Sequence, residues 1–248
     1  MLNELLLLSG NDIPFIEAQI SIHQPTIKEI AYIGEENFYI GCEMLTFSKD
    51  ILNEEDRNNL RNQNDFDILM SIILDNRSPD MRKNKIASLM VMSLLFPDYE
   101  INFTFKEITI TKEDETHKIN SQNFERFKEI LTEMFCLKGK SQDKDIPDTY
   151  NPGGDLAKKI ADKIKKGRQK VAASKGEQKI SILTRYVSIL STGLPQDMNT
   201  LLRYTVYQLF DEFQRFELKE EFDAYFQARL AGARDLKEVD NWKKDIHP

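Results

Sequence analysis

Three histidines, His23, His117 and His247, are the side chains best able to exchange protons or bind a metal near neutral pH, and their placement supports neither use. None stands at a ligand spacing from another His, a Cys or an Asp on one helix face, which disfavours a zinc site. Cys42 and Cys136 lie far apart without a Cys-x-x-Cys partner, so they read as reduced, buried small hydrophobes rather than a disulfide or a nucleophile. A Gly-x-Ser-x-Gly elbow is missing. Gly153-Gly154 precede a helix start whose free amides suit an anion, yet no Gly-x-x-x-x-Gly-Lys spacing follows and Asp155 puts a carboxylate where a phosphate would sit. The expectation is a protein that is not an enzyme, with no catalytic residue, no metal and no cofactor.

Two patterns remain that can bind rather than react. Residues 156–175 carry eight Lys or Arg against one acid, Asp162, in a chain whose net charge is −7. Lys158, Lys163, Lys165, Lys166, Arg168 and Lys170 form a basic helix face that could grip a polyanion. The acidic remainder would repel DNA or a phospholipid surface, and the stretch lacks interleaved aromatics for base stacking. A solvated face with Ile160 and Ile164 docked on protein is the favoured reading. The second pattern is aromatic: Tyr204, Tyr207, Phe210 or Leu209, Phe213 and Phe216, continuing to Phe222, Tyr225 and Phe226. A three-residue period drifts around a helix, so these rings cannot all point one way. One helical neighbour covers only part of that circumference. The surplus meets the rest of the chain, as the core of a small helical bundle, or a partner. Tyr204, Tyr207, Phe210, Phe213, Phe216, Tyr225 and Trp242, the lone large anchor of the tail, are therefore the candidate partner-binding residues.

The elements that must position them read as two domains. With 248 residues, 40% apolar and 30% charged, the chain can bury a core without disulfide or metal. Its low mean hydropathy argues against a membrane protein. The leucines at 5–8 lack the flanks of a signal peptide and read as core. An α+β domain with a small antiparallel hairpin is expected over residues 1–137. Within it, residues 15–22 suit one extended segment, and Thr26-Ile27-Lys28-Glu29 is a capping-box spacing for a helix ending near Gly34. Helices follow over 66–74 and 86–96, separated by turn residues at 76–80. Ile101, Phe103 and Phe105 alternate with polar residues, then Ile108 and Ile110 resume out of phase, a bulge or turn in a hairpin returning through Lys118-Ile119. A helix with Phe124, Phe127, Ile130 or Leu131, Met134 and Phe135 on one face closes the domain. Residues 138–154, rich in Ser, Asp, Pro and Gly, read as a linker to an all-α helical domain over 155–248. That domain holds the basic helix, a helix over 178–191 with Ile180, Leu183, Val187 and Leu190 on one seam, and a helix starting at Asp197 or Asn199 with no Gly or Pro until Gly232, a length unusual enough to place a candidate weak point near Phe216-Glu217.

The runs Asn123-Phe124-Glu125, Met134-Phe135-Cys136-Leu137, Tyr150-Asn151-Pro152-Gly153, Lys158-Lys159-Ile160-Ala161, Ser188-Ile189-Leu190, Thr205-Val206-Tyr207-Gln208-Leu209-Phe210-Asp211-Glu212 and Ala231-Gly232-Ala233-Arg234-Asp235-Leu236 give the chain a further resemblance. It resembles tail assembly chaperones of long-tailed phages of Gram-positive bacteria, through overall character over most of its length and without a diagnostic motif. The resemblance implies a non-enzymatic chaperone that acts in the host bacterial cytoplasm. Its partners would be the tape measure protein and the tail tube protein before assembly, and itself as a homo-oligomer. The alternatives are a structural tail or baseplate component kept in the virion and a nucleic-acid-associated regulator using the basic helix.

Overall fold

The computed structural model describes residues 2–51, 54–75, 77–137, 181–232, 239–244 and 246. The architecture is α+β, with helices numbered here among the described residues. It opens with α1 (Glu4–Ser9), capped by Asn3, and a hairpin of β1 (Ile13–Phe15) and β2 (Ile20–Ile22). The extended segment expected over 15–22 is instead a strand, a 3-10 turn over Ile16–Ala18 and a second strand, because Gln19 takes a left-handed backbone (φ 55°) and reverses the chain. Of the four leucines expected as core, Leu7 is buried while Leu5 and Leu8 are exposed, since a short helix has one inward side.

The capping box forms: Thr26 Oγ1 accepts from the Glu29 N–H, Glu29 Oε2 accepts from the Thr26 N–H at 2.7 Å, and α2 (Ile27–Ile33) follows. Helices α3 (Glu35–Leu45), α4 (Glu54–Asn59), α5 (Asp65–Leu74) and α6 (Pro79–Leu95) come next. Helix α6 begins seven residues before the expected start, because Ser78 caps it and Pro79, read as a turn residue, occupies its first position. Strands β3 (Glu100–Phe103), β4 (Ile108–Lys112) and β5 (Glu115–Ile119) form an antiparallel meander. The phase change lies in a turn, where Thr104 N–H and Oγ1 both donate to the Glu107 carbonyl and Phe105 is exposed rather than inward. In α7 (Phe124–Met134) the expected stripe is buried, including both Ile130 and Leu131.

Helices α8 (Ile182–Gly193), α9 (Met198–Leu201) and α10 (Val206–Leu230) complete the described chain. The long helix expected from Asp197 or Asn199 is split, but between Leu201 and Val206 rather than at the weak point expected near Phe216-Glu217, where the helix is continuous. Asp197 caps α9, and Thr205 opens α10 through a second capping box, its Oγ1 accepting from the Gln208 N–H and Gln208 Oε1 accepting from the Thr205 N–H. Residues 1–137 and 183–248 belong to one compact unit; the other, 138–182, lies almost wholly outside the described residues, as do the expected linker and the basic helix with Lys158, Lys163, Lys165, Lys166, Arg168 and Lys170. From Leu183 on, the described residues of the expected helical domain thus share the unit of the N-terminal residues. Leu183, Val187, Leu190, Leu201, Leu209 and Phe213 join the same hydrophobic cluster as Phe38 and Phe135.

The junction is made by backbone. Thr26 and Thr205 form an antiparallel bridge, and the first amides of α2, Ile27 and Lys28, donate to the carbonyls of Tyr204 (2.8 Å) and Leu202 (2.9 Å). Donors that a helix start leaves without intrahelical acceptors are thereby satisfied by the segment linking α9 and α10. Gln208 Nε2 donates to the Leu8 carbonyl, and the Leu183 N–H to Glu35 Oε1, tying α10 and α8 to the N-terminal elements.

Candidate functional site

Helix α10 has two halves of different character. In the first, Val206, Tyr207, Leu209 and Phe213 are buried. Tyr186 of α8 stacks on Phe213, with ring centroids 3.7 Å apart and planes at 7°, and meets Phe210 edge-on at 5.1 Å. The Phe216 ring fills the space above Gly193, where a Cβ would lie 2.4 Å from its Cζ. Tyr204 is half-buried and its hydroxyl donates to Gln196 Oε1 at 2.9 Å. Burial, with the Glu4 carboxylate nearby, pushes the Tyr207 phenol up to about 12. Of the candidate partner-binding rings, Tyr207 and Phe213 are therefore enclosed, and Tyr204, Phe210 and Phe216 are half-buried against the core of their own chain.

Beyond Phe216 the helix continues to Leu230 without a fully buried residue. Phe222 and Phe226 lie parallel, 6.5 Å apart at 8°, and Phe226 is 54% and Leu230 74% exposed. Steps of four place Phe222, Phe226 and Leu230 along one stripe. Tyr225 is half-buried beneath the Arg229 guanidinium, 5.8 Å from its ring centre. Trp242, also half-buried, is brought back to the middle of α10 by Arg215, whose Nη1 donates to the Lys244 carbonyl at 2.7 Å and stands 3.5 Å from the Trp242 carbonyl oxygen. The aromatic pattern pointed to this helix; the exposed pair Phe226 and Leu230, the covering ring Tyr186 and the anchor Arg215 were not among the candidates. Spacing of four from Phe222 is the signal that could have found the pair.

Both histidines among the described residues have polar neighbours. His23 Nδ1 lies 3.0 Å from Asp12 Oδ1 and its Nε2 3.4 Å from Glu29 Oε1; His117 Nδ1 lies 3.1 Å from the Ala18 carbonyl. Among the described residues no group of three or more His, Cys, Asp or Glu could hold a metal ion. Both cysteines are free. Burial pushes the Cys42 thiol well up, and burial together with Asp211 pushes that of Cys136 up to about 12, so neither is a ready nucleophile. Among the described residues no helix is long and apolar enough to cross a membrane. What the outer half of α10 offers is apolar surface on a charged helix, suited to holding other apolar side chains.

No curated protein and no solved structure matches the chain. Residues 175–247, the segment that carries α8, α9 and α10, match the family model described as YomV second domain, a likeness that suggests a phage-associated protein family over less than a third of the chain.

Proposed function

We propose that this chain is a non-enzymatic assembly chaperone of a phage tail, which holds apolar helical segments of a tail protein, the tape measure protein first and the tail tube protein second, before they assemble. The single observation that supports this reading is the outer half of α10, where Phe226 and Leu230 stand 54% and 74% exposed on one stripe behind a parallel pair of rings. A long client with an apolar seam aggregates when bare, and a charged helix presenting a short apolar stripe can cover one turn of that seam after another. The net charge of −7 keeps such a complex dispersed. The phage-associated likeness of residues 175–247 agrees with this setting. Co-expression with the tape measure and tube proteins of the same phage tests it. The client should become soluble and co-purify with this chain; a client equally insoluble with and without it refutes the reading.

A further inference from the structure

A groove of about 640 Å³ is bounded by the β1–β2 hairpin, the turn after α6 and the β4–β5 hairpin. Ile16, Pro97 and Tyr99 contribute apolar wall, and Ile16 is left 79% exposed. The rim is acidic, with Asp12, Asp98 and Glu115 all well exposed. Among the described residues the lining has a single Lys or Arg, Lys112, which stands 3.8 Å from Asp98. Lys112 Nζ also lies 5.4 Å from the centre of the Tyr99 ring, so that ring already carries a cation on its face. His117 meets Tyr99 edge-on at 6.2 Å. Its Nδ1 faces the Ala18 carbonyl, which can only accept, at 3.1 Å, and its Nε2 lies 3.9 Å from the Glu115 carboxylate.

The groove thus combines hydrogen-bond acceptors, negative charge, one aromatic face and an apolar wall. Its complement is a donor-only, planar cation on an apolar stem. A guanidinium meets every term: five N–H donors, a flat face for Tyr99 and three methylenes to lie along Ile16 and Pro97. An ammonium brings the charge without the plane. We propose that this groove binds an arginine side chain of a partner protein, with the guanidinium between Glu115 and Asp98 and against Tyr99, in the place that the half-exposed Lys112 ammonium takes in the free chain. The site is separate from α10 and does not depend on the chaperone reading.

The test uses the full chain and a labelled six-residue peptide alternating isoleucine with arginine, followed by fluorescence anisotropy. The same peptide with citrulline, equal in shape and neutral, should bind at least about tenfold more weakly. The variant Asp98→Lys/Glu115→Lys alters two exposed side chains and should lose about tenfold or more in affinity with an unchanged circular dichroism spectrum. Glu220→Lys/Glu221→Lys on α10 makes the same change in net charge outside the groove and should keep the native affinity. Tyr99→Leu should lose several-fold. The proposal is overturned if the citrulline peptide binds as well, if the α10 variant falls as far as the groove variant, or if the arginine peptide does not bind.

Discussion

Replacing Phe226 and Leu230 together by Ser should separate holding a client from folding. Full burial of a large apolar side chain is worth about 1.5–3 kcal/mol. With 54% of Phe226 and 74% of Leu230 still in water, the pair has about 2–4 kcal/mol of unrealised burial, which corresponds to about 30-fold to about 700-fold in Kd for a client that covers both. Neither side chain belongs to the core, so the stability of the free protein should change by no more than about 0.5 kcal/mol. The assay pairs urea denaturation of the purified variant with titration of a fluorescent client helix. A variant that melts like the native chain and loses at least tenfold in client affinity fits the reasoning. One that holds the client unchanged, or unfolds readily, refutes the assignment of this stripe as the holding surface.

Three further outcomes follow from the fold. Thr205→Ala removes the cap of α10 and should cost about 1 kcal/mol in urea denaturation, with a matching rise in amide exchange at Ile27 and Lys28, whose acceptors lie just ahead of that cap. Gly41→Ala would place a Cβ 2.5 Å from the Ala87 carbonyl oxygen of α6, so α3 and α6 must separate, at about 1–3 kcal/mol in the same assay. Burial pushes the Asp65 carboxyl up, but the Lys128 ammonium 2.6 Å away and the Lys49 backbone N–H more than offset this and leave it below its ordinary value. Its stabilising contribution is therefore present above the unfolded value of about 3.9 and is lost as pH falls. Asp65→Asn should destabilise by about 1–3 kcal/mol at pH 7, and the gap to the native chain should close in melts run below about pH 4.

Where one helix face or one cap decides an element, the sequence was sufficient. The Thr26–Glu29 capping box, the stripe from Phe124 to Phe135 and the seam of Leu183, Val187 and Leu190 are all legible because helix periodicity and cap chemistry act within a few residues. The Thr205–Gln208 box is equally local, but it lies inside the aromatic run, whose spacing continues across it and hides the break between α9 and α10. What spacing along one helix cannot state is which side receives a neighbour. Tyr186 claims Phe210 and Phe213, Gly193 makes room for Phe216, and the backbone of the α9–α10 link supplies acceptors to the start of α2, all through contacts distant in sequence. The sequence by itself therefore determined that an aromatic-rich amphipathic helix exists near the end of this chain. Only tertiary packing decided that its first half completes the core of the N-terminal elements and that Phe226 and Leu230 remain in water, because burial depends on what else occupies the space around a helix.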